Sequence, residues 1–306
     1  MGWLGAFLVA SALGAFALYY VAPGVVFEHA MRLARRIGRL RLRAVTVDAH
    51  RLPYLTGGQG EPLLLLHGFG GNKDHWTMIA PHLTRHFRVY APDLPGFGDA
   101  TRHDDADYSL DAQLARIAAL ADALGLARFH LGGSSMGGYL AAHFAARHPE
   151  RVISLWLLAP AGVLGAPESE TMALMGAGDN PLIATDLAAL DRLTALCFAV
   201  PPSLPAQFKR PLLARARAEA AMNARLFEAV FAAPVALESI AARLPSRLLV
   251  VWGDTDRVLH PAALDIMAAV RPDAECLLML KMGHVPMIER PAHTAADYLR
   301  WQGIRV

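Results

Sequence analysis

The stretch Phe129-His130-Leu131-Gly132-Gly133-Ser134-Ser135-Met136-Gly137-Gly138 decides the reading of this chain. Residues 129–131 form a short apolar run suited to a buried strand, and residues 139–147 carry a helical pattern. Between them, Gly133-Ser134-Ser135-Met136-Gly137 has the G-x-S-x-G spacing of a sharp strand-to-helix turn. Such a turn leaves no room for side chains on either side of its apex, so glycines flank it. It lifts Ser135 above the edge of a sheet, over the free N–H groups and partial positive charge of a helix N-terminus. The spacing selects Ser135 over its neighbour Ser134. A nucleophilic hydroxyl is the expectation.

Outward from this turn, short apolar runs recur at residues 62–66, 88–91, 153–158, 248–252 and 275–280. Helical segments lie between or after them at 110–124, 262–270 and 292–301, and residues 44–48 with the region of Tyr54 read as an opening hairpin. Strand alternating with helix predicts a mostly parallel sheet covered on both faces. Residues 163–244 break the rhythm. They are rich in Ala and Leu, with prolines at 201, 202 and 205, and predict a helical lid over the carboxyl edge of the sheet. No repeat or long linker divides residues 44–306.

A serine hydroxyl needs a base. His284, in Met282-Gly283-His284, falls between the last apolar run and the final helix, where a loop returns to the edge that carries Ser135. The base needs a carboxylate to hold its tautomer. Trp252-Gly253-Asp254-Thr255-Asp256-Arg257 follows the preceding strand at the same edge. Asp256, further into that loop, is expected to reach the histidine, and Asp254 to fix the turn. A tetrahedral intermediate needs donors, and His67-Gly68-Phe69-Gly70-Gly71 follows the run at 62–66. The backbone amides of Phe69 and Met136 are the expected oxyanion pair. His67 reads as a support for its loop, and Asp93, in Asp93-Leu94-Pro95-Gly96-Phe97-Gly98, as a turn former.

Composition narrows the function. Of 306 residues, 54% are hydrophobic and the net charge is +2, with no basic block in the body, which argues against a nucleic-acid partner. Cys197 and Cys276 stand alone, so neither a disulfide framework nor a metal site is expected. Residues 2–27 carry no charge, long enough for a membrane-crossing helix. A cleaved signal would have basic residues first and a shorter apolar run. Residues 1–27 are therefore expected to anchor the chain in a bilayer. Arg32, Arg35, Arg36, Arg39, Arg41 and Arg43, interleaved with Leu33, Ile37 and Leu40, predict a basic amphipathic helix over residues 28–43. The positive-inside rule then puts the globular part, residues 44–306, on the cytoplasmic face, as at a bacterial inner membrane.

HGFGGNKDHW, DLPGFG, GGSSMGG, WGDTDRV and GHVPMIERP, in this order, resemble the α/β-hydrolase superfamily across residues 60–302. The NKD and Trp after HGF, with PAG at 160–162, NPLI at 180–183 and VPP at 200–202, are similar to monoacylglycerol lipases of the α/β-hydrolase domain 6 type and related bacterial lipases. The resemblance implies an α/β-hydrolase fold and cofactor-free hydrolysis of lipid-like esters. It places nucleophile, acid, base and oxyanion amides on Ser135, Asp256, His284, Phe69 and Met136. Relatives often have Ser or Thr where Asp99 stands, which puts the packing of that loop in question. Two rivals remain: a carbon–carbon bond hydrolase of aromatic breakdown, which would carry Trp where Val285 stands, and a non-catalytic protein of the same fold, which would have lost part of the triad. No protein partner is implied.

Overall fold

The computed structural model describes residues 20–305. Helix α1 (Pro23–Ile37) leads into strands β1 (Arg41–Val47), β2 (His50–Gly57) and β3 (Glu61–Leu66). After helix α2 (Ala80–Leu83) come β4 (Phe87–Pro92), α3 (Leu110–Ala123), β5 (Phe129–Ser134), α4 (Met136–Arg147) and β6 (Val152–Leu158). Four helices follow: α5 (Glu170–Gly176), α6 (Leu187–Cys197), α7 (Ala206–Phe231) and α8 (Leu237–Ile240). The chain returns to the sheet with β7 (Leu248–Gly253), α9 (Ala263–Val270) and β8 (Glu275–Met279), and ends in α10 (Pro286–Glu289) and α11 (Pro291–Trp301).

The described strands form one eight-stranded sheet in the order β1-β2-β4-β3-β5-β6-β7-β8. The β1–β2 and β2–β4 pairs are antiparallel and the remaining pairs parallel. The period-two pleat explains the unbroken apolar runs. In β3, Leu64 and Leu66 belong to the buried cluster on one face of the sheet, with Phe144 of α4. Leu63 and Leu65 pack with Trp76, Tyr298 and Leu299 on the other. Both faces are roofed from Leu63 to Leu66, so none of these four positions can be polar without cost.

The parallel strands β3, β5, β6, β7 and β8 all deliver their following loops to one edge. There the elbow, the Gly-rich loop after β3, the Asp254–Asp256 loop after β7 and the His284 loop after β8 converge. The insertion between β6 and β7 is helical and lies over this edge, lining the cavity there with residues of α6 and α7.

The N-terminal reading needs correction. The basic helix expected over residues 28–43 runs instead from Pro23 to Ile37, starting inside the stretch read as anchor. Pro23 stands in its first turn, where a missing N–H costs nothing, and Gly38 followed by Arg39 at φ 56° ends it. Arg41 and Arg43 then lie on β1, where Val45, Thr46 and Val47 favour a strand. No described helix is long and apolar enough to cross a membrane. Residues 1–19 of the expected anchor lie outside the described residues.

Candidate active site

Ser135 is the apex of the β5–α4 turn, with φ 54° and ψ −119°, a conformation that costs a non-glycine residue energy. Hydrogen bonds on both sides hold it there. The Ser135 N–H donates to the Leu158 carbonyl (2.9 Å), and the Ser135 carbonyl accepts from the N–H groups of Tyr139 and Ala161 (3.0 Å each). The glycines are needed for space. A Cβ on Gly133 would sit 2.2 Å from the Gly137 carbonyl oxygen, and one on Gly137 would sit 2.2 Å from that of Leu66.

His284 and Asp256 meet in the interior, 4% and 5% exposed. The imidazole Nδ1–H donates to Asp256 Oδ2 at 2.7 Å, which leaves Nε2 as the basic nitrogen. The other carboxylate oxygen of Asp256 accepts from the amides of Val258 (2.8 Å) and Leu259 (3.0 Å), so the carboxylate cannot swing away. Asp254 instead accepts from the Met282 amide at 3.1 Å and ties the β7 loop to the β8 loop. Ser135 and His284 both line one cavity of about 350 Å³. In this geometry their side chains are not hydrogen-bonded to each other, and among the described residues no other group engages the Ser135 hydroxyl or His284 Nε2.

The loop after β3 lies against the elbow. A Cβ on Gly68 would come within 3.2 Å of Ser135 Cβ, and among the described residues the amides of Phe69 and Met136 donate to no protein acceptor. His67 supports this loop. Its Nδ1–H donates to the Gly68 carbonyl (2.8 Å) and its Nε2 accepts from the Leu94 amide (3.0 Å), a pattern only the neutral ring can satisfy. Burial pushes its pKa down to about 3. Asp93 does more than form a turn. Buried beside Lys73, it accepts from the Lys73 ammonium (2.8 Å), the Lys73 amide (2.7 Å) and the Asp99 amide (2.8 Å). Asp99 fits this loop well: it pairs with Lys73 (2.6 Å) and with Arg215 of α7 (3.1 Å).

Two supports escaped sequence reasoning. The His284 amide donates to the Cys197 carbonyl at the end of α6 (2.8 Å). Glu289 accepts from the amides of Gly283 (3.0 Å), Ala199 (3.3 Å) and Val200 (3.1 Å), clamping the histidine loop to the insertion. Neither support has a local signature, since the bonds to the insertion join segments about ninety residues apart. Cys197 lines the cavity, but burial, followed by the charge of Asp256, pushes the pKa of its thiol up to about 12, so it stays protonated.

A family profile described as the alpha/beta hydrolase fold matches residues 61–291. The chain belongs to the α/β-hydrolase fold family. Within that family it is similar to Lipase 3 of Moraxella sp. (strain TA144), 36% identical over 78% of this chain and 76% of that protein. Lipase 1 of Psychrobacter immobilis is 34% identical over 87% and 85%. The monoacylglycerol lipase ABHD6 of Homo sapiens is 28% identical over 78% and 74%. Among solved α/β-hydrolase structures, a membrane phospholipase A described as a bacterial virulence factor superposes with a TM-score of 0.89 at 38% identity, covering 98% of this chain and 97% of that one. Meta-cleavage product hydrolases also superpose, at 22% identity and a TM-score of 0.70 for one of them, and share the fold.

Proposed function

We propose that this α/β-hydrolase is a serine carboxylic-ester hydrolase acting on lipid esters, of the monoacylglycerol lipase kind, with Ser135 as nucleophile, His284 as base and Asp256 as its orienting acid. The observation that carries the reading is the buried His284–Asp256 pair at 2.7 Å opening on the same cavity as the Ser135 apex. His284 Nε2 takes the Ser135 proton as Oγ attacks the ester carbonyl. The amides of Phe69 and Met136 receive the oxyanion, and Asp256 stabilises the imidazolium. The ester C–O bond breaks, and His284 returns the proton to the departing alcohol. Water repeats the sequence on the acyl-serine and frees the fatty acid. No step calls for a metal or cofactor.

Lipid substrates are supported by the lipase relatives and by the cavity, whose wall includes Leu182, Ile183, Leu190, Leu193, Phe198 and Ile288. Residues 163–244 serve as the lid over it. Residues 1–27 tether the chain to a bilayer, with Arg32 and Arg36 of α1 against anionic headgroups and the hydrolase domain on the cytoplasmic face. A fluorophosphonate probe should label the protein once, at Ser135. Ser135→Ala should lose both the adduct and all turnover of nitrophenyl and monoacylglycerol esters while keeping its melting temperature. Turnover retained by Ser135→Ala would remove the assignment, and an unlabelled wild type would favour a non-catalytic binder.

A further inference from the structure

The cavity is divided by chemistry. Its apolar part comes from α6, the chain before it and α10. Its polar part comes from Asn72 and His75 after the Gly-rich loop, and from α7. Along α7, Arg215, Glu219 and Asn223 follow one another at four-residue spacing, which puts them on one helix face, and all three line the cavity. Phe227, one turn further, packs its ring 5.3 Å from that of Phe69, so this face ends against the Gly-rich loop.

The ionic groups here are already matched. Arg215 pairs with Asp99 (3.1 Å) and Glu219 (3.0 Å), and Glu219 also holds Arg102 (2.8 Å). The neutral groups are not. Asn223 is 7% exposed, yet among the described residues its amide makes no hydrogen bond. Its two amide atoms are not sealed in the protein interior, so the unpaired carboxamide is available to a polar group that enters the cavity. His75 is similar: its ring makes no hydrogen bond among the described residues, and burial pushes its pKa down to about 4, so at neutral pH it offers one N–H and one lone pair. Asn72 turns its Oδ1 to the Asp74 amide (2.8 Å), leaving its NH₂ over.

We infer that Asn223 and His75, with the Asn72 amide, form a subsite for the hydroxyl groups of a neutral polyol, the alcohol half of the ester, while the acyl chain occupies the apolar part. This rests on the ester-hydrolase reading and sharpens it. Asn223 and His75 each both donate and accept and Asn72 adds a donor, as a diol requires, and a phosphate would meet no unmatched cation. The subsite therefore favours a glycerol monoester over a simple alkyl ester of the same acid, and over its glycerophosphate counterpart.

The readout is the ratio of kcat/KM for 1-decanoylglycerol to that for methyl decanoate, measured with the full chain. Asn223→Leu, which keeps the branching at Cγ without the polar atoms, and His75→Phe should each lower this ratio about tenfold, the usual loss when a site built to bond a hydroxyl loses its partner. A ratio within twofold of wild type in both Asn223→Leu and Asn223→Ala would overturn the inference, even if both rates fell together. So would a wild-type preference for 1-decanoylglycerol 3-phosphate. Binding of the uncleavable ether 1-O-decylglycerol to the Ser135→Ala protein provides an independent arm, expected to weaken about tenfold when Asn223→Leu is added. Should wild type cleave none of these esters, the hydrolase reading fails, and the ether still judges the subsite: unchanged affinity refutes it and weakened affinity supports it.

Discussion

At the level of single residues, the proposed triad of Ser135, His284 and Asp256 was suggested by the sequence because each follows a recognisable apolar run and the glycines beside Ser135 are restricted by space. Gly137 cannot carry a side chain because the Leu66 carbonyl stands 2.2 Å from where its Cβ would be, and that crowding is what the motif records. Lys73 and Asp93 were not legible as a pair, since a lysine buried beside two aspartates looks in sequence like an ordinary surface residue. The buried histidines carry a stability consequence. Burial holds His67 near pKa 3 and His143 near 4, against an ordinary value of 6.5, and both are almost fully enclosed. Their folded pKa values lie below the unfolded ones, so the unfolded chain binds more protons as pH drops below 6.5. Stability is complete above that pH and declines beneath it. Each imidazole removes about 1.4 kcal/mol per pH unit, and the two together about 3 kcal/mol per unit. Urea unfolding between pH 7 and 5, above most carboxylate titration, should show the midpoint moving steadily down. A level midpoint over that range would mean that both rings charge without opening the fold.

Secondary-structure elements were legible where one period dominated. The strands announced themselves as short apolar runs because helices roof both faces of the sheet, and the order of strands and helices followed. Helix α1 ends earlier than its charge pattern implies because the arginines continue past Gly38 into β1, so charge gave no boundary where backbone geometry did. The insertion could be read as helical, but not how it is fixed. Glu289 fixes it, accepting three amides from two separate segments. Glu289→Ala leaves those amides without a partly enclosed acceptor, which should cost about 2–3 kcal/mol and lower the melting temperature by several degrees. Because Gly283 precedes His284, kcat should fall about tenfold at temperatures where the variant is fully folded. Glu289→Gln keeps a carbonyl acceptor and should restore most of kcat. A variant that melts early yet turns over normally would limit Glu289 to holding the fold.

On the scale of the whole molecule, the sheet edge was foreseeable and the cavity was not, because its walls come from segments far apart in sequence. The attachment of α1 to the body belongs to the same class of feature. Arg35 reaches Asp74 with two bonds of 2.7 and 2.6 Å, one residue before His75, and the Phe27 ring lies 6.3 Å from Phe208 of α7. The helix that follows the uncharged leader is thus joined both to the chain beside the Gly-rich loop and to the insertion. Its other face leaves Val25, Leu33 and Ile37 exposed beside Arg32 and Arg36, a mixture suited to the interface of an anionic bilayer. If the leader spans the membrane, burial of its apolar side chains holds the chain, and the arginines only set its orientation. Salt screens the second effect and not the first. The full chain should therefore stay with membranes through both high-salt and alkaline washing, and a protease site fused after Val306 should be cut only from the cytoplasmic side. Release by the alkaline wash would reduce the leader to a surface attachment, and cutting from the outer side alone would reverse the orientation drawn from the arginines.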